Sequence, residues 1–563
     1  MDNQRVLLFF ALSFVLLLIW QAWQQDNMTQ EQPATPATAE QVATEQIPQT
    51  SSSEDVPASP PGGAQMETSD ILSAAQASQE VLKKGQRIRV RTDVLDVEID
   101  TVGGDIRQVD LLAYPVSADE PDHPFRLMED SPLRVFIAQT GLLSKQSAPD
   151  HHARFTAEQT EYVLPAGADQ IQVPLRWTSE DGITVTKTYT FKRDSYVIDI
   201  AHTVDNGSTE EWRGHQYRQF QRTEPADYEK STFIYTYTGA VIYSEEEKYE
   251  KIDFDDMKDG DLSRDIKGGW AAMIQHYFVG AWLPREDELN HFYTKAPKGR
   301  PFILGLVSAQ DAVAPGAQKT FASRVFIGPK EQHRLEKLAP GLELTVDYGV
   351  LTVLAKPIFW LMEYIHALIG NWGFTIIILT LIIKLVFYKL SAASYRSMAN
   401  MRKLQPKIVA MRERYGDDRQ RMSQAMMELY KKEKINPMGG CLPMLVQIPV
   451  FIALYWVLLE SVELRQADFI FWLNDLSSRD PYYILPLLMG ATMFIQQKLN
   501  PPPPDPIQAK IMTALPIIFT LFFAFFPSGL VLYWVTNSAL SILQQWYITR
   551  RIEKAAESAK SGS

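Results

Sequence analysis

The chain has 563 residues, 46% of them hydrophobic, and a formal net charge of −12. Its single cysteine, Cys441, excludes a disulfide framework and a zinc site built from several cysteines. The charge is uneven, because residues 389–441 hold 12 Lys and Arg against 5 Asp and Glu, which is +7 and leaves −19 for the rest. A basic segment beside apolar runs is typical of a cytoplasmic loop in a membrane protein.

An apolar run over residues 6–23 follows Arg5 near the N-terminus and has the character of a signal peptide or a retained anchor. The nearest Ala-x-Ala sequence, Ala37 to Ala39, is too distant for cleavage of a signal peptide. This favours a transmembrane anchor over residues 1–24, with the N-terminus in the cytoplasm. Residues 25–85 lack aromatic residues and are rich in Gln, Thr, Pro, Ala and Ser, which predicts a disordered periplasmic linker.

The region 86–347 changes to a period of two, as in RIRVRTDVLDVEI, where Ile88 and Val90 alternate with Arg residues. The sequence GITVTKTYTFKRDSYVIDIAHTV has two β-rich runs around residues 192–195, which predicts a hairpin. Gly, Pro, Asn and Asp recur at short intervals, and no long helical pattern competes with the strands. We therefore predict a large periplasmic antiparallel β-sandwich, with a short helix near residues 330–338.

This predicted sandwich offers few candidates for chemistry. The acidic stretch DDMKDGDLSRDI fails as a calcium loop, because Met257 and Ile266 stand where oxygen ligands are needed. His151 and His152 lack a third ligand at suitable spacing, so an exposed loop pair is favoured over a metal site. With no phosphate-binding glycine motif either, we expect no cofactor and no metal. A scaffold or docking domain is favoured, and a sugar- or peptide-binding groove is the alternative.

The pattern after residue 347 is that of membrane helices. Phe359, Met362 and Ile365 recur at helical spacing in a stretch that also carries charges, which predicts an amphipathic helix on the membrane surface over 348–370. Five runs near the length of a membrane span follow, at residues 371–390, 442–462, 482–499, 511–526 and 530–547. With the anchor this makes six spans. The basic segment 391–441 and the tail 548–563 are then cytoplasmic, and 442–547 contains the third to sixth spans.

Lys384 is the charge within these runs that most needs an explanation. It could extend to the cytoplasmic surface along its aliphatic stem. However, Lys389 follows five residues later and is the better anchor at the interface, which leaves Lys384 more than one turn inside. A lysine at depth costs about 2.5–3.5 kcal/mol on insertion scales and usually faces protein or water. A functional role is therefore favoured.

Polar residues recur in the inner halves of the predicted spans. Thr380, Lys384 and Tyr388 follow an i, i+4, i+8 spacing and are expected on one helix face. Small polar residues often only bond neighbouring helices, but their shared depth favours a polar cavity open to the cytoplasm and closed on the outer side. The other residues of this predicted groove are Gln447, Gln496, Gln497, Thr513, Tyr533, Asn537, Ser541 and Gln544.

The segment 391–441 repeats apolar residues at helical spacing on both sides of Gly416–Asp418. This predicts an antiparallel helical hairpin with a methionine-rich seam that includes Met411, Met422 and Met426. Its charged faces are expected to be solvated. Docking of incoming chains on the seam is the alternative.

Six stretches carry a family resemblance. They are SMANMRKLQPKIVAMRERYGDDRQRMSQAMMELYKKEKINPMGGCLPMLVQIPVFIALYWVL, SVELRQADF, DLSSRDPYYILPLLMG and FPSGLVLYWVTN, and in the soluble region KGGWAAMIQHYF and LELTVDYG. They resemble the YidC family of membrane insertases, with its mitochondrial Oxa and chloroplast Albino relatives. The likeness covers nearly the whole chain and indicates the long Gram-negative form. It implies a multi-domain protein, in which five core helices surround a hydrophilic groove beside the anchor and the periplasmic sandwich.

The resemblance implies a membrane insertase and chaperone, not an enzyme, that places nascent proteins in the inner membrane, alone or with the Sec translocon. Lys384 stands where the family most familiarly has Arg, and a lysine keeps the charge but lacks the bidentate geometry of Arg. Thr380, Gln447 and Tyr533 match groove or substrate-contact positions. Further implied partners are membrane lipid and the ribosome or the signal recognition particle with its receptor, without direct binding of nucleic acid.

Two other functions are the alternatives. A secondary transporter or channel usually shows internal repeats and polar groups through the full depth of the membrane, and neither pattern is found. A membrane-tethered periplasmic binding module would use the helical region only as an anchor.

Overall fold

The computed structural model describes Leu82 and residues 84–225, 236–415, 418–433, 442–500 and 506–561. The predicted anchor, 1–24, lies outside the described residues, as does nearly all of the predicted linker, 25–85. The described residues form a β-domain followed by a helical region, which confirms the predicted fold class in its broad terms.

Over its described residues, the β-domain consists of strands with the helix α1 (Phe254–Asp259) among them. Its strands are β1 (Arg87–Arg91), β2 (Leu95–Asp100), β3 (Asp105–Pro115), β4 (Pro124–Asp130), β5 (Val135–Ser144), β6 (Thr156–Ala157), β7 (Glu161–Val163), β8 (Gln170–Thr178), β9 (Ile183–Lys192), β10 (Val197–Asn206), β11 (Trp212–Arg222), β12 (Gly239–Ser244), β13 (Lys248–Ile252), β14 (Ser263–Lys267), β15 (Trp270–Gln275), β16 (Phe278–Trp282), β17 (Leu289–Lys295), β18 (Phe302–Ser308), β19 (Asp311–Val313) and β20 (Gln318–Pro329).

These strands build two sheets. One has eleven strands in the order β14-β17-β18-β11-β5-β4-β3-β2-β1-β7, with β19 paired to β11. The other has nine strands in the order β13-β12-β15-β16-β20-β10-β9-β8-β6. β1 and β7 pair in parallel, whereas the long pairs β9 with β10 and β10 with β20 are antiparallel.

Alternating residues of the two sheets form a shared core. In β9, Ile183, Val185 and Tyr189 are buried and the threonines that alternate with the buried face are partly exposed, as expected for a strand with one face in a core. The ring of Phe220 in the eleven-stranded sheet lies 5.5 Å from the ring of Trp282 in the other sheet. β9 and β10 form the hairpin predicted around residues 192–195. The predicted sandwich is therefore confirmed.

The prediction of an exposed pair at His151 and His152 is wrong for His151. Its side chain is buried, and its Nδ1 lies 2.6 Å from the Tyr217 hydroxyl. Tyr217 stands on β11, far along the chain, so the local sequence pattern does not show this contact. Over the ranges that the structure describes, no group of His, Cys, Asp and Glu side chains is arranged to hold a metal ion.

The chain after β20 is helical. Its helices are α2 (Gln332–Leu338), α3 (Thr352–Ile369), α4 (Trp372–Val386), α5 (Tyr388–Tyr415), α6 (Arg419–Lys432), α7 (Leu442–Glu460), α8 (Ile484–Leu499), α9 (Pro506–Phe523) and α10 (Ser528–Ser561). Short 3₁₀ turns lie at Leu342–Thr345, Gly349–Leu351 and Val462–Leu464. The first helix, α2, is the short one predicted near residues 330–338.

Two adjacent residues, Gly370 and Asn371, define the boundary between α3 and α4. Gly370 has φ 71°, the left-handed conformation that glycine adopts freely at the end of a helix. Asn371 then caps α4, and its side-chain oxygen accepts the Phe374 backbone N–H at 3.1 Å. α3 buries Phe359, Met362 and other apolar residues, and it packs against α4 and α7.

Helix length tests the number of membrane spans only in part. Among the described residues, Gly349–Ile369 alone has the length and apolar composition of a complete span, and the interrupted pair α4 and α5 would provide a second. Val446–Glu460 and Lys510–Phe523 are apolar but shorter. The helix that passes is the one predicted to lie on the membrane surface, so the predicted count of six spans is not confirmed.

Buried polar side chains join the β-domain to the end of α7. Lys330 Nζ lies 3.3 Å from Glu460 Oε2 and donates to the Thr345 carbonyl at 3.0 Å. His276 Nε2 lies 2.9 Å from the Leu459 carbonyl oxygen. Because Lys330 and Glu460 are both almost fully buried, removing either one would leave a buried charge without its partner. We call this group of contacts between the β-domain and the end of α7 the joint.

The loop after α7 extends the joint. The Arg465 guanidinium donates to the Pro115 carbonyl at 2.6 Å, and it lies over the rings of Phe125 at 5.6 Å and Phe278 at 5.4 Å. The side chain thus combines a hydrogen bond with two cation–π contacts on the β-domain. The β-domain is therefore held against one end of the helical region by charged, polar and aromatic contacts.

Candidate functional site

Thr380 and Lys384 lie on one face of α4. They are one helical turn apart, and both side chains are buried. The Thr380 hydroxyl donates to the Ile376 carbonyl of its own helix at 2.6 Å, so it is satisfied within α4. The Lys384 ammonium, whose residue is 7% exposed, instead reaches a neighbouring helix.

The partner of Lys384 is a serine of α10. Lys384 Nζ donates to Ser541 Oγ at 2.7 Å, and Ser541 Oγ donates to the Asn537 carbonyl at 2.7 Å. The hydroxyl proton is therefore already used, and a lone pair of the oxygen faces the ammonium. Within the part of the chain that the structure describes, no carboxylate forms an ion pair with Lys384.

Ser541 was expected to line the groove, but its direct bond to Lys384 was not predicted. The available signal was the spacing of Asn537 and Ser541, which puts both on one face of α10. Nothing in the sequence pairs that face with Lys384, 157 residues earlier. The contact depends on how α4 and α10 pack.

The expectation that Tyr388 shares the face of Thr380 and Lys384 is wrong. α4 ends at Val386, Phe387 has φ −88° and ψ 9°, and a new helix starts at Tyr388. The side chain of Tyr388 is exposed. An i, i+8 relation holds only within one uninterrupted helix, and neither Gly nor Pro marks the interruption.

Tyr533 of α10 packs in an apolar cluster, about two turns before Ser541. Its ring stacks on that of Phe451 at a centroid distance of 5.9 Å. Phe451 follows Gln447 by one turn of α7, so α7 and α10 meet at this level. The predicted groove residues that are half-buried are Gln447, Gln496, Asn537 and Gln544, whereas Thr513 is exposed.

Buried amide atoms without hydrogen-bond partners lie near the end of α8 and along the neighbouring part of α10. They are Gln497 Oε1, Gln544 Nε2 and Gln545 Oε1, none of which bonds another described residue. Gln545 Nε2 donates to the Leu499 carbonyl at 3.2 Å, which ties α10 to the end of α8. Buried amides are rarely left unpaired in proteins, and water is their usual remaining partner. These three amide groups therefore retain hydrogen-bonding capacity on this side of the helical region.

The half of the helical region next to the β-domain is apolar. α3, α4, α7 and α10 share a buried hydrophobic cluster there, whose members include Ile376, Leu379, Leu454, Leu458 and Val531. The Lys384–Ser541 bond lies near the end of α4, two residues before Val386, and about three and a half turns into α10. The half beside the β-domain thus holds the apolar cluster, and the other half holds the buried ammonium.

The described residues from Tyr395 to Glu433 belong to a compact unit of their own. α5 ends at Tyr415 and α6 begins at Arg419, on either side of the predicted break. Lys407 Nζ lies 2.6 Å from Glu433 Oε1, which joins the middle of α5 to the end of α6. The predicted seam residues Met411, Met422 and Met426 are half-buried.

Comparison with known proteins covers the whole chain. One family model, described as YidC periplasmic domain, matches residues 87–361, and a second, described as 60Kd inner membrane protein, matches residues 364–555. The membrane protein insertase YidC of Alkalilimnicola ehrlichii is 55% identical, over 100% of this chain and 98% of the relative. That of Methylococcus capsulatus is 54% identical, over 98% of this chain and 99% of the relative.

A solved structure described as an active YidC insertase, with its first transmembrane domain resolved, is 18% identical. It matches over 83% of this chain and 94% of its own, with a TM-score of 0.41. The family models and the two relatives agree on both the β-domain and the helical region. The chain therefore belongs to the YidC family of membrane protein insertases, inner-membrane proteins that carry a periplasmic domain.

Proposed function

We propose that this chain inserts nascent inner-membrane proteins by using the Lys384 ammonium as a temporary partner for an acidic residue of the incoming polar tail. One observation carries the proposal. Lys384 is 7% exposed, yet its ammonium donates to a single neutral hydroxyl and pairs with no carboxylate among the described residues.

A buried lysine without a carboxylate partner can bind an anionic ligand. An ammonium has three donors, and buried charges are normally paired or fully hydrogen-bonded. Ser541 Oγ orients the ammonium without neutralising it, because the serine remains uncharged and its proton is committed to the Asn537 carbonyl. A carboxylate of the substrate could therefore add to Lys384 without displacing an existing ion pair.

The route of the substrate follows from the two halves of the helical region. The polar tail enters from the cytoplasmic side, where Gln497, Gln544 and Gln545 leave amide atoms unpaired. The adjoining hydrophobic segment then moves sideways into lipid, and removing its apolar surface from water drives insertion. A membrane potential that is positive outside assists an acidic tail by about 2.3 kcal/mol per charge per 100 mV.

The proposed topology has six spans, with both termini in the cytoplasm. The seam residues Met411, Met422 and Met426 are proposed to receive the hydrophobic segment first, since methionine side chains adapt to many apolar shapes. The ribosome, or the signal recognition particle with its receptor, would deliver substrates on this side. The Sec translocon is proposed as a partner for substrates with larger exported regions. No covalent step and no cofactor is part of the proposal.

The test uses a small single-span substrate with an acidic tail, and the same substrate with its tail neutralised. Lys384→Met is expected to slow insertion of the acidic substrate about tenfold, which corresponds to one lost ion pair of about 1.4 kcal/mol, and to leave the neutral substrate nearly unaffected. Lys384→Arg should retain most of the activity. Lys389→Met is the matched control, because Lys389 is an exposed lysine close by in the chain.

Charge reversal gives the stricter comparison. Lys384→Glu should reject the acidic tail and accept a lysine-bearing tail, if the interaction is between charges. Equal insertion of the acidic substrate by the Glu and Lys forms would overturn the proposal. Flux of a small solute through proteoliposomes of the purified chain would instead favour the transporter alternative.

A further inference from the structure

The loop between α7 and α8 presents an aromatic side chain to its surroundings. Phe471 is 85% exposed and has φ 58°, a left-handed conformation that is unfavourable for a residue with a bulky side chain. Its ring stacks on Trp472, with the centroids 6.0 Å apart. An exposed phenylalanine on a strained backbone persists only where the surrounding structure holds it there.

Two aspartates hold this loop in shape. The Asp475 carboxylate accepts the Gln466 backbone N–H at 3.0 Å and the Ser477 hydroxyl at 2.6 Å. The Asp480 carboxylate accepts the Trp472 indole N–H at 3.0 Å and the Leu485 backbone N–H at 2.7 Å. The exposure of Phe471 is therefore a property of an ordered loop rather than of a free one.

The exposed aromatic surface continues onto helices of the membrane region. Tyr482 and Tyr483, just before α8, are exposed, and Leu487 is exposed one turn into that helix. On the other side, the ring of Phe469 packs edge-on against Phe374 in the first turn of α4, at 5.1 Å. Phe471 therefore belongs to a loop that contacts the first turn of α4 through Phe469 and the first turn of α8 through Asp480, at the end where the β-domain is attached.

We propose that Phe471, together with Tyr482, inserts into the headgroup and upper acyl region of the outer leaflet, so that lipid is the partner of this loop. Aromatic side chains favour this interfacial layer, where an apolar ring is removed from water while backbone groups remain hydrated. The ordered loop would then set the depth of the adjoining ends of α7 and α8 in the bilayer. The proposal is independent of the role of Lys384.

The test measures the depth of a spin label on the full chain in nanodiscs of phosphatidylethanolamine and phosphatidylglycerol. Cys441 is the single cysteine, so Cys441→Ser provides a background for Phe471→Cys and, separately, Leu133→Cys. Leu133 is the matched control because it is also 85% exposed, but on the turn between β4 and β5 of the β-domain. Each label is probed by collision with oxygen, which enters lipid, and with a water-soluble nickel chelate.

A label at 471 is expected to show a several-fold higher ratio of oxygen to nickel collisions than a label at 133. Equal ratios at the two positions would overturn the proposal. An immobilised label at 471 that neither reagent reaches would also overturn it, since a protein segment would then cover the site. Tyr482→Cys repeats the measurement at a second position, so a folding defect of the Phe471 variant would not decide the result.

Discussion

In the β-domain, Lys187 of β9 is fully buried, and its Nζ donates to the Gly103 carbonyl at 2.9 Å and the Thr140 carbonyl at 2.8 Å. In the helical region, Lys384 is nearly as buried, yet its Nζ donates to one neutral hydroxyl. Both sites must offset the cost of removing an ammonium from water. The difference lies in how many of the three donor positions are filled.

Lys330 at the joint resembles Lys187 rather than Lys384. Its ammonium has the Glu460 carboxylate and the Thr345 carbonyl as partners. Lys187 and Lys330 each have two hydrogen-bonding partners, whereas the ammonium of Lys384 has one. Burial alone therefore does not distinguish Lys187 and Lys330 from Lys384, but the number and kind of their partners do.

The strongest way to break this comparison is to remove each ammonium in turn. Lys187→Met should lower the free energy of unfolding of the β-domain by about 2–5 kcal/mol, because two buried carbonyl groups lose their donor. Lys384→Met should leave stability unchanged or raise it, because Ser541 keeps its bond to Asn537 and a buried charge is removed. Thermal unfolding of the purified full chain in detergent measures both effects.

The same two variants should rank in the opposite order when insertion is measured. Folded Lys187→Met protein should insert an acidic-tailed substrate at nearly the normal rate, whereas Lys384→Met should not. A large loss of stability in the Lys384 variant would contradict the distinction.

The next effect in size comes from giving Lys384 a permanent partner. Ser541→Asp should place a carboxylate beside the ammonium and reduce insertion of the acidic-tailed substrate about tenfold, the value of one competing ion pair. Ser541→Ala is the control, because it removes the hydroxyl without adding charge and should have a smaller effect. Insertion rates in proteoliposomes with both substrates check the prediction, and equal rates for the two serine variants would exclude competition for Lys384.

The smallest expected effect concerns Glu463, which lies in the 3₁₀ turn between the joint residues Glu460 and Arg465. Burial, with the nearby carboxylates of Glu363 and Glu331, raises the pKa of Glu463 from its ordinary value of 4.5 to about 8. The folded state thus holds a proton that the unfolded state releases, so this contribution is complete below pH 4.5 and is lost as the pH rises toward 8. The unfolding midpoint should fall by a few degrees between pH 6 and pH 8.

Glu463→Gln keeps the shape of the side chain and removes its titration. The variant should show a flatter dependence of the unfolding midpoint on pH than the unmodified chain. Identical slopes would show that Glu463 is already ionised in the folded protein.

Local patterns were sufficient for the β-domain and for most helix positions. The period of two in β9 and β10 predicts both strands and their hairpin, and the Gly370–Asn371 pair marks a helix end and a helix start. In these cases the determining interactions are close in the sequence. The sequence predicts a sandwich of two sheets but not the order of the strands in each sheet, because that order depends on contacts between distant residues.

The candidate site was predictable only in part, for the same reason. Lys384 stands out because a charge in an apolar run is costly, and Thr380 follows from helical spacing. The predicted position of Tyr388 was wrong because no glycine or proline marks the interruption of the helix at Phe387. The Ser541 bond and the burial of His151 could not be foreseen, because each depends on packing between residues far apart in the chain.

The joint also has a consequence for the order in which the protein itself is assembled. Pro115 at the end of β3, His276 in the turn between β15 and β16, and Lys330 directly after β20 all precede α7 in the chain, so they are synthesised before Glu460 and Arg465. Once exported and folded, the β-domain would already present the residues that bind the end of α7. Binding of Glu460 and Arg465 to the β-domain would then fix the position of α7 while α8, α9 and α10 are still being translated.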